Sequence, residues 1–345
     1  MISMLANEWA ERHQVEILTL DTDANAPFYP LDSRLSHRSL NLLGPSRNPL
    51  HAVIANLRRI FKLRRAIKRA HPDIVVSLML DTNVTTILAS IRQSAPVVVC
   101  EHADPMVYPV SPTWNSLRKL TYRLADRLIV LNEEMATWFR SQVGCDARVI
   151  GNPVKIPALS AMNETASRQM VAVGRLDELK SFSDLISAFT LLAKQYPDWQ
   201  LKIYGKGPLE DALQAQIDQT GLSSRISLMG ITNDIDSVLR DAQLFVSSST
   251  TEAFPMAICE AMSHALCVVS TRAGSGVETL IENEQSGLLC RVQDIDDLAD
   301  KMAMAMQSPE LRQRLGSSAR ESIKRYSLST ISAQWEGMFA EMTGA

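Results

Sequence analysis

The sequence predicts an α/β protein in which two domains are each built on a doubly wound parallel sheet. Short apolar runs alternate with amphipathic helical patterns along the whole chain, which indicates parallel strands with helices on both faces. The chain of 345 residues is long for one hydrophobic core, and 46% of its residues are hydrophobic, which is enough to build two cores. The boundary region, residues 151–167, holds two prolines, Pro153 and Pro157, followed by a polar stretch, and it separates the domains.

The first half opens with a helical pattern and then alternates strands and helices. Strands are predicted at residues 15–20, 74–80, 97–100, 127–131 and 148–150, and helices at residues 2–11, 57–69, 115–124 and 133–142. A doubly wound domain usually opens with a strand and a glycine-rich turn, whereas a helix comes first here. We therefore predict an N-terminal domain over residues 1–155, with its first strand ahead of Met1.

The second half repeats the same rhythm. Strands are predicted at residues 169–173, 200–204, 226–229, 244–247 and 267–270, and helices at residues 182–195, 209–219, 234–240 and 256–264. These elements predict a second domain over residues 156–328. A last helical pattern, at residues 330–342, has five apolar residues on one face, namely Ile331, Trp335, Met338, Phe339 and Met342. We expect this tail, residues 329–345, to pack back on the N-terminal domain.

Charge and cysteine content narrow the class of protein. A formal net charge of −3 does not favour nucleic acid as the main partner. Residues 1–155 hold 19 Lys and Arg against 14 Asp and Glu, whereas the remainder holds 16 against 24, so the first half is the one suited to an anionic partner. The five cysteines are scattered without a C-x-x-C pair, which fits a reducing compartment. No apolar run approaches about 18 residues, so we expect a cytoplasmic protein.

One predicted helix of the first half is strongly basic. The stretch Arg58–Arg69 has seven cations and no acid, with Leu57, Ile60, Phe61 and Ile67 among them. A basic amphipathic helix can lie on an anionic membrane surface. The same pattern is also found where a solvated face covers an ordinary core stripe, and the sequence leaves both interpretations open.

The strongest motif leaves a strand at Ser247 and enters a helix. Pro255 suits the first helical position, and the helix start then offers unbonded N–H groups that attract phosphate. Glu252 precedes this helix and Glu260 lies within it. A carboxylate can accept two adjacent hydroxyl donors, so these two glutamates are candidates to bind sugar or ribose hydroxyls. The alternative is that both are ordinary surface glutamates.

Further candidates lie where other strands end. Arg175 and Lys180 follow the strand at residues 169–173, at the edge where parallel sheets bind ligands, and together they could hold a diphosphate. Gly205 and Gly274 lie in turns that could present N–H groups to a nucleotide. His102 follows the strand at residues 97–100 and could bind a sugar hydroxyl. Each of these has a plain structural alternative, respectively a solvated basic loop, ordinary turns and a packing histidine.

Taken together, these residues resemble the retaining glycosyltransferases of family 4, also called glycosyl transferases group 1. The resemblance is most specific between Val171 and Leu289. It rests on Val-Gly-Arg-Leu with Lys180, on Tyr-Gly-Lys-Gly-Pro-Leu-Glu at residues 204–210, and on two glutamates separated by seven residues. The segment Glu-His-Ala-Asp-Pro at residues 101–105 is similar to members that build bacterial surface polysaccharides. The resemblance implies the GT-B fold, with two Rossmann-like domains that face each other across a cleft. By the same resemblance, residues 1–155 would form the acceptor-side domain and residues 156–328 the domain that binds the nucleotide-sugar.

The resemblance also implies roles for individual residues. Arg175 and Lys180 would hold the diphosphate of a nucleotide-sugar, and Glu260 would bind its ribose. Glu252 would bind the donor sugar, with His102 beside that sugar as the second catalytic residue. The remaining implied donor-binding residues are Gly205, Gly230, Ile231, Phe254, Pro255 and Met256. The base would lie near Gly230 and Ile231.

The implied reaction keeps the anomeric configuration and uses neither a metal ion nor a cofactor, since the nucleotide-sugar, by resemblance UDP-linked, is a substrate. The acceptor would be a lipid-linked glycan or an oligosaccharide. Two other functions remain open, a sugar-nucleotide epimerase of the same architecture and a non-catalytic protein that binds nucleotide-sugars. The chain departs from the family at three positions where glycine is usual, which are Ser181, Ala253 and Ala265 here.

Overall fold

The computed structural model describes residues 1–21, 27, 29–42, 44, 49–107, 110–158 and 168–344. The chain forms two compact units. Unit 1 comprises Met1–Pro153 and Leu328–Ala345, and unit 2 comprises Val154–Ser327. Both are α/β units in which every paired strand described runs parallel to its neighbour. Of the described helices, none is long and apolar enough to cross a membrane.

Unit 1 contains a two-stranded sheet and a four-stranded sheet. Its strands are β1 (Glu16–Thr19), β2 (Ser36–Ser39), β3 (Val75–Leu78), β4 (Val97–Cys100), β5 (Arg127–Val130) and β6 (Ala147–Val149). Its helices are α1 (Ile2–Trp9), α2 (Pro49–Ala70), α3 (Leu80–Ser90), α4 (Pro112–Thr121), α5 (Glu133–Gln142) and α13 (Leu328–Thr343). The sheets have the orders β1-β2 and β3-β4-β5-β6. All four residues of β4 are buried, so this strand forms the centre of the larger sheet.

The last helix of the chain belongs to unit 1 because aromatic side chains join it to the first helix. The ring of Trp9 on α1 lies 5.6 Å from that of Trp335 and 5.2 Å from that of Phe339 on α13. Both contacts are edge-on, the geometry that aromatic pairs prefer. Arg12 adds a 2.9 Å ion pair with Glu336 at the exposed rim.

Unit 2 is a six-stranded parallel sheet with helices. Its strands are β7 (Gln169–Val173), β8 (Gln200–Tyr204), β9 (Ile226–Gly230), β10 (Leu244–Ser247), β11 (Val268–Thr271) and β12 (Leu288–Cys290). Its helices are α6 (Phe182–Leu192), α7 (Glu210–Thr220), α8 (Ile235–Asp241), α9 (Met256–Ser263), α10 (Ser275–Leu280), α11 (Ile295–Gln307) and α12 (Pro309–Ile323). The strand order β12-β11-β10-β7-β8-β9 is that of a Rossmann fold. The order reverses between β7 and β10, and open parallel sheets bind ligands in the crevice at the carboxyl ends of the strands where this happens.

Some elements differ from the sequence predictions. The strand predicted at residues 74–80 ends at Leu78, because α3 begins at Leu80. Helix α2 begins eight residues earlier than predicted, at Pro49. Strand β2 is not predicted at all, since Ser36–Ser39 contains no apolar residue and is a strand because it pairs with β1.

Two of the three positions where the family usually has glycine carry backbone strain. Ser181 has φ 45° and ψ 44°, and Ala265 has φ 58°. A left-handed conformation costs a residue with a Cβ atom about 1–2 kcal/mol, whereas glycine adopts it freely. Helix α12 packs closely on this turn, because a Cβ atom on Gly316 would come within 1.9 Å of the carbonyl oxygen of Ala265.

We expect Ala265→Gly to stabilise unit 2 by up to about 1 kcal/mol, since relief of strain exceeds the entropic cost of glycine. Ala303→Gly, in the middle of α11, is the matched control, because it removes the same methyl group from an ordinary helical residue. That control should lose about 1 kcal/mol. Urea unfolding measures both, and equal losses in the two variants would contradict the strain at Ala265.

Candidate active site

The candidate residues of unit 2 lie where the strand order reverses. The loop after β7 carries Gly174, Arg175 and Lys180, and the loop after β10 carries Ser249 and Glu252. Since β7 and β10 are adjacent parallel strands, their carboxyl ends meet at one edge of the sheet. The fold therefore brings together two sequence motifs that are about 70 residues apart.

Glycines allow the loops after β7, β8 and β9 to lie unusually close. The N–H of Gly205 donates to the carbonyl of Gly230 at 2.8 Å, and the N–H of Gly174 donates to the carbonyl of Tyr204 at 3.0 Å. Gly205 has φ 144°, and a Cβ atom there would come within 1.8 Å of the carbonyl oxygen of Gly174. No side chain fits at residue 205, so this glycine fixes the position of the loop that carries Arg175.

Lys180 and Glu252 form an ion pair between the two loops. The Lys180 ammonium donates a short hydrogen bond to Oε1 of Glu252, and the Ser249 hydroxyl donates to the same oxygen at 2.8 Å. The two side chains are only 25% and 13% exposed, so solvent screens the ion pair less than it would at the surface. The second carboxylate oxygen of Glu252 has no hydrogen-bond partner among the described residues. It is available to a ligand.

Backbone contacts hold this ion pair in place. The Ser248 hydroxyl donates to the carbonyl of Lys180 at 2.8 Å, and the N–H of Thr250 donates to the carbonyl of Leu179 at 2.8 Å. On the other side, the N–H of Glu252 donates to the carbonyl of Ala273 at 2.7 Å. A charged pair whose backbone is bonded on both sides pays little further entropy to keep its geometry.

Helix α9 begins beside this ion pair, directly after a proline. Pro255 is the N-cap, with ψ 91°, and not the first helical residue as the sequence analysis expects, because its extended conformation places Met256 first. No side chain caps the helix within the described structure. The N–H groups of its first turn are therefore open to an anion, and the helix dipole favours negative charge there. Phe254, just before the cap, packs edge-on against Tyr326 with the rings 5.2 Å apart.

Glu260 lies one turn further along α9, near the carboxylate of Asp236. Burial, with a smaller effect of the nearby carboxylate of Asp236, raises the pKa of Glu260 to about 7. Asp236 is itself 3.2 Å from the Lys155 ammonium and 3.4 Å from Nε2 of His264. A carboxyl group with this pKa is poised near neutral pH, so hydroxyl donors from a ligand would favour its charged form.

Two other candidates of unit 2 are open to solvent. The Arg175 side chain is 71% exposed, and its Nε lies 3.4 Å from Asp177. Ile231 is 65% exposed at the end of β9. Neither contacts the Lys180–Glu252 pair in the described structure. Both side chains are therefore accessible to a ligand from the solvent side.

His102 belongs to unit 1, where it follows β4. Burial lowers the pKa of His102 to about 4. The imidazole is therefore neutral at physiological pH, and it can accept or donate a hydrogen bond without carrying charge. Within the described residues, no group of three or more His, Cys, Asp or Glu side chains could hold a metal ion.

Several contributors are not singled out by the sequence analysis. Ser249 holds Glu252, Asp236 and His264 adjoin Glu260, and Tyr326 supports Phe254. The serine could have been recognised, because it lies three residues before Glu252 in the same loop. Asp236 and Tyr326 are distant in the chain, and only the fold brings them to α9, whereas His264 directly follows that helix.

Two family descriptions match almost the whole chain. Residues 1–153 match the glycosyl transferase 4-like domain, and residues 162–322 match glycosyl transferases group 1. The chain is a glycosyltransferase of the family 4 type. The two matched regions correspond closely to unit 1 without its C-terminal helix and to unit 2.

Known proteins of similar length agree with this family. The glycosyltransferase is 24% identical over 344 residues to an α-1,4-N-acetyl-D-galactosaminyltransferase of Campylobacter jejuni that acts on an undecaprenol-linked glycan, and the match covers 99% of this chain and 94% of that one. The Anabaena protein HepE, solved with UDP and glucose, matches with a TM-score of 0.79 and 20% identity over 98% of this chain and 94% of that one.

Staphylococcus aureus TarM, solved with UDP and α-GlcNAc-glycerol, is a longer neighbour. It matches with a TM-score of 0.71 and 22% identity over 81% of the glycosyltransferase, which spans 58% of the TarM chain. These solved structures establish the GT-B fold. Neither the epimerase nor the non-catalytic binding protein is favoured by any of these matches.

Proposed function

We propose that the chain is a retaining glycosyltransferase that moves a hexose or N-acetylhexosamine from a UDP-sugar to a lipid-linked or oligosaccharide acceptor, without a metal ion. The glycosyltransferase family is the established part. The observation that carries the finer proposal is the ion pair between Lys180 and Glu252 beside the uncapped start of α9.

The proposed chemistry follows from the charge that develops on the leaving diphosphate. In the transition state the bond from the sugar to the diphosphate breaks, and negative charge grows on the phosphate oxygens. Lys180, Arg175 and the N–H groups of Phe254 and Met256 offset that charge. Two cations and a helix N-terminus thus do what a metal ion does in other transferases, so we expect full activity in the presence of a chelator.

The carboxylates orient the donor. Lys180 exchanges Glu252 for the diphosphate when the donor binds, and Glu252 is then free to accept hydrogen bonds from the hydroxyls of the sugar. Glu260 accepts both ribose hydroxyls, and Gly230 and Ile231 lie against the base. His102, neutral because of its low pKa, bonds a sugar hydroxyl without adding positive charge near the anomeric carbon.

Several of the similar proteins support the choice of UDP and of the sugar. HepE and TarM were solved with UDP, and the Campylobacter jejuni relative transfers N-acetyl-D-galactosamine to a glycan on undecaprenol. An acceptor of that kind is anchored in a membrane, which would require the enzyme to work at a lipid surface.

The exposed side of α2 fits such a surface. Its outer side carries four exposed apolar residues, Val53, Ile54, Leu57 and Phe61, which are between 56% and 67% exposed. Arg58, Arg65, Lys68 and Arg69 are exposed beside them and have no partner in the described structure. Arg59 and Arg64 instead donate to backbone carbonyls within unit 1. Apolar side chains flanked by unpaired cations are what an anionic bilayer binds.

We expect Lys180→Ala and Glu252→Ala each to reduce the rate of UDP release from a UDP-sugar by at least ~100-fold, the effect of losing one transition-state contact. The double variant should lose little more than the worse single variant, because the two residues act as a unit. Lys194→Ala, an exposed lysine of the same unit, is the control and should keep normal turnover. Near-normal rates in both single variants would refute the site.

We expect Arg58→Glu with Arg65→Glu to abolish sedimentation with vesicles that contain phosphatidylserine, since each cation near the surface contributes about 1 kcal/mol. Lys194→Glu with Arg240→Glu, a reversal of equal charge in unit 2, should pellet like the unaltered chain. Leu57→Ser with Phe61→Ser should weaken pelleting at unchanged charge. Unchanged pelleting of the Arg58 and Arg65 variant would rule out α2 as the membrane surface.

A further inference from the structure

Unit 1 contains a cavity whose lining includes none of the candidate donor-binding residues. Its volume is about 390 Å³, within the range of small-molecule sites. It opens at the carboxyl ends of β3 and β4, which contribute Met79, Asp81, Glu101 and Asp104, and α4 closes the far wall. Open parallel sheets bind their ligands at this position.

Glu101 is the most deeply placed carboxyl group of the cavity. It is 3% exposed, and burial raises its pKa to about 7. Its Oε1 accepts a 2.5 Å hydrogen bond from the Tyr122 hydroxyl, which in turn accepts one from Asn83 at 3.0 Å. Oε2 has no partner among the described residues. Oε1 is therefore held by the fold, whereas Oε2 is available to a ligand in the cavity.

Arg118 is the matching cation on the opposite wall. It is also 3% exposed, and its guanidinium lies 4.7 Å above the ring of Trp138. Nη2 donates to Asn115 at 2.8 Å, whereas Nε is buried without a partner. Arg118 and Glu101 form no ion pair in the described structure, although both line the cavity. A buried acid and a buried cation that do not pair leave an acceptor and a donor for something between them.

A hydroxyl group is the chemistry that satisfies both. It can donate to Oε2 of Glu101 and accept from Arg118 at the same time. Trp114 supplies a half-buried aromatic wall of the kind that packs on the apolar face of a sugar ring. Three carboxyl groups, on Asp81, Glu101 and Asp104, surround one cation, so the cavity repels phosphates and uronic acids.

The backbone at the cavity wall is strained, as at many ligand sites. Met79 has φ 72° and ψ 142°, a conformation that costs a residue with a side chain about 1–3 kcal/mol. It is held by hydrogen bonds from its N–H to the carbonyl of Cys100 at 3.1 Å and to its own carbonyl from the N–H of Asn83 at 2.8 Å.

We infer that this cavity binds a neutral sugar ring of the acceptor, with one hydroxyl held between Glu101 and Arg118. The inference rests on the proposed function only for the word acceptor. The rest of the inference depends only on residues of unit 1: the cavity, the unpaired Glu101 and Arg118, and the preference for neutral rings. Glu101 is then a specificity residue, and the donor residues of unit 2 have no part in this selection.

Binding can be followed at the cavity itself in the full chain. The probes are methyl α-D-glucopyranoside, methyl N-acetyl-α-D-galactosaminide and the anionic methyl α-D-glucuronide. The readout is the indole N–H resonance of Trp114 in ¹⁵N-labelled protein, assigned by Trp114→Phe. We expect at least one neutral glycoside to shift this resonance saturably and the glucuronide to bind at least tenfold more weakly, while the resonances of Trp9, Trp199 and Trp335 stay in place.

Variants test the residues. Glu101→Gln keeps the bond from Tyr122 and should weaken the neutral glycoside about tenfold, the effect of losing a charged hydrogen bond. Glu133→Gln, exposed on α5, should change nothing. If Glu101→Gln fails to fold, the exposed Asp81→Asn replaces it and should narrow the preference for the neutral ring. No saturable Trp114 shift with any neutral glycoside well above millimolar concentration, or equal binding of the neutral and anionic rings, would overturn the inference.

Turnover separates this inference from the proposed function. If the chain releases UDP, Glu101→Gln should raise the KM for the acceptor about tenfold with a much smaller change in kcat, whereas Glu133→Gln should leave both unchanged. If the unaltered chain does not hydrolyse the donor, the proposed transferase is refuted. The Trp114 resonance would still test whether the cavity binds a neutral sugar ring. An unchanged acceptor KM in an active enzyme would overturn the cavity and leave the transferase intact.

Discussion

The ion pair between Lys180 and Glu252 depends on how closely two loops can approach at the point where the strand order of unit 2 reverses. Glycines 205 and 230 let three loop backbones bond to one another, and bonds from Ser248 and Thr250 fix the loop of Lys180 against that of Glu252. The charges are then held ready with little freedom left to lose. In the proposed mechanism, Lys180 moves from a carboxylate to a phosphate while the backbone stays in place, which is the property that stabilisation of a leaving group requires.

The two units place their charged groups differently, and each arrangement suits the ligand proposed for that unit. Unit 2 pairs Lys180 with Glu252 close to the uncapped start of α9, a lysine and a helix N-terminus being groups that bind phosphate. Unit 1 places cations on the outside of α2 and carboxyl groups in its cavity, so the proposed membrane surface and the proposed selection of a neutral ring use different parts of the unit. Burial raises the pKa of both Glu101 and Glu260 to about 7, which marks each as a carboxyl group that a ligand can bring into its charged form.

Much of the fold follows from the sequence where apolar residues run together. Strands β4, β7, β8 and β10 have the predicted bounds because their core-facing residues leave no other interpretation. Helix α3 is not predicted, because buried Asn83, Thr85 and Thr86 replace the apolar stripe that reveals a helix. The motifs identify Lys180 and Glu252 as candidates, but their contact needs the strand order. The spacing of residues along the sequence does not reveal the cavity around Glu101, because its walls come from two strand ends and a helix that only the fold brings together.

The exchange of partners by Lys180 is the central claim, and the affinity for UDP alone tests it most directly. Titration calorimetry in the presence of EDTA should show that UDP binds to the unaltered chain and at least tenfold more weakly to Lys180→Ala. Glu252→Gln should bind UDP as tightly as the unaltered chain or more so. In this variant Lys180 does not have to break an ion pair with a carboxylate before it binds the phosphates. Weaker binding of UDP by Glu252→Gln, or equal binding by Lys180→Ala, would contradict the exchange.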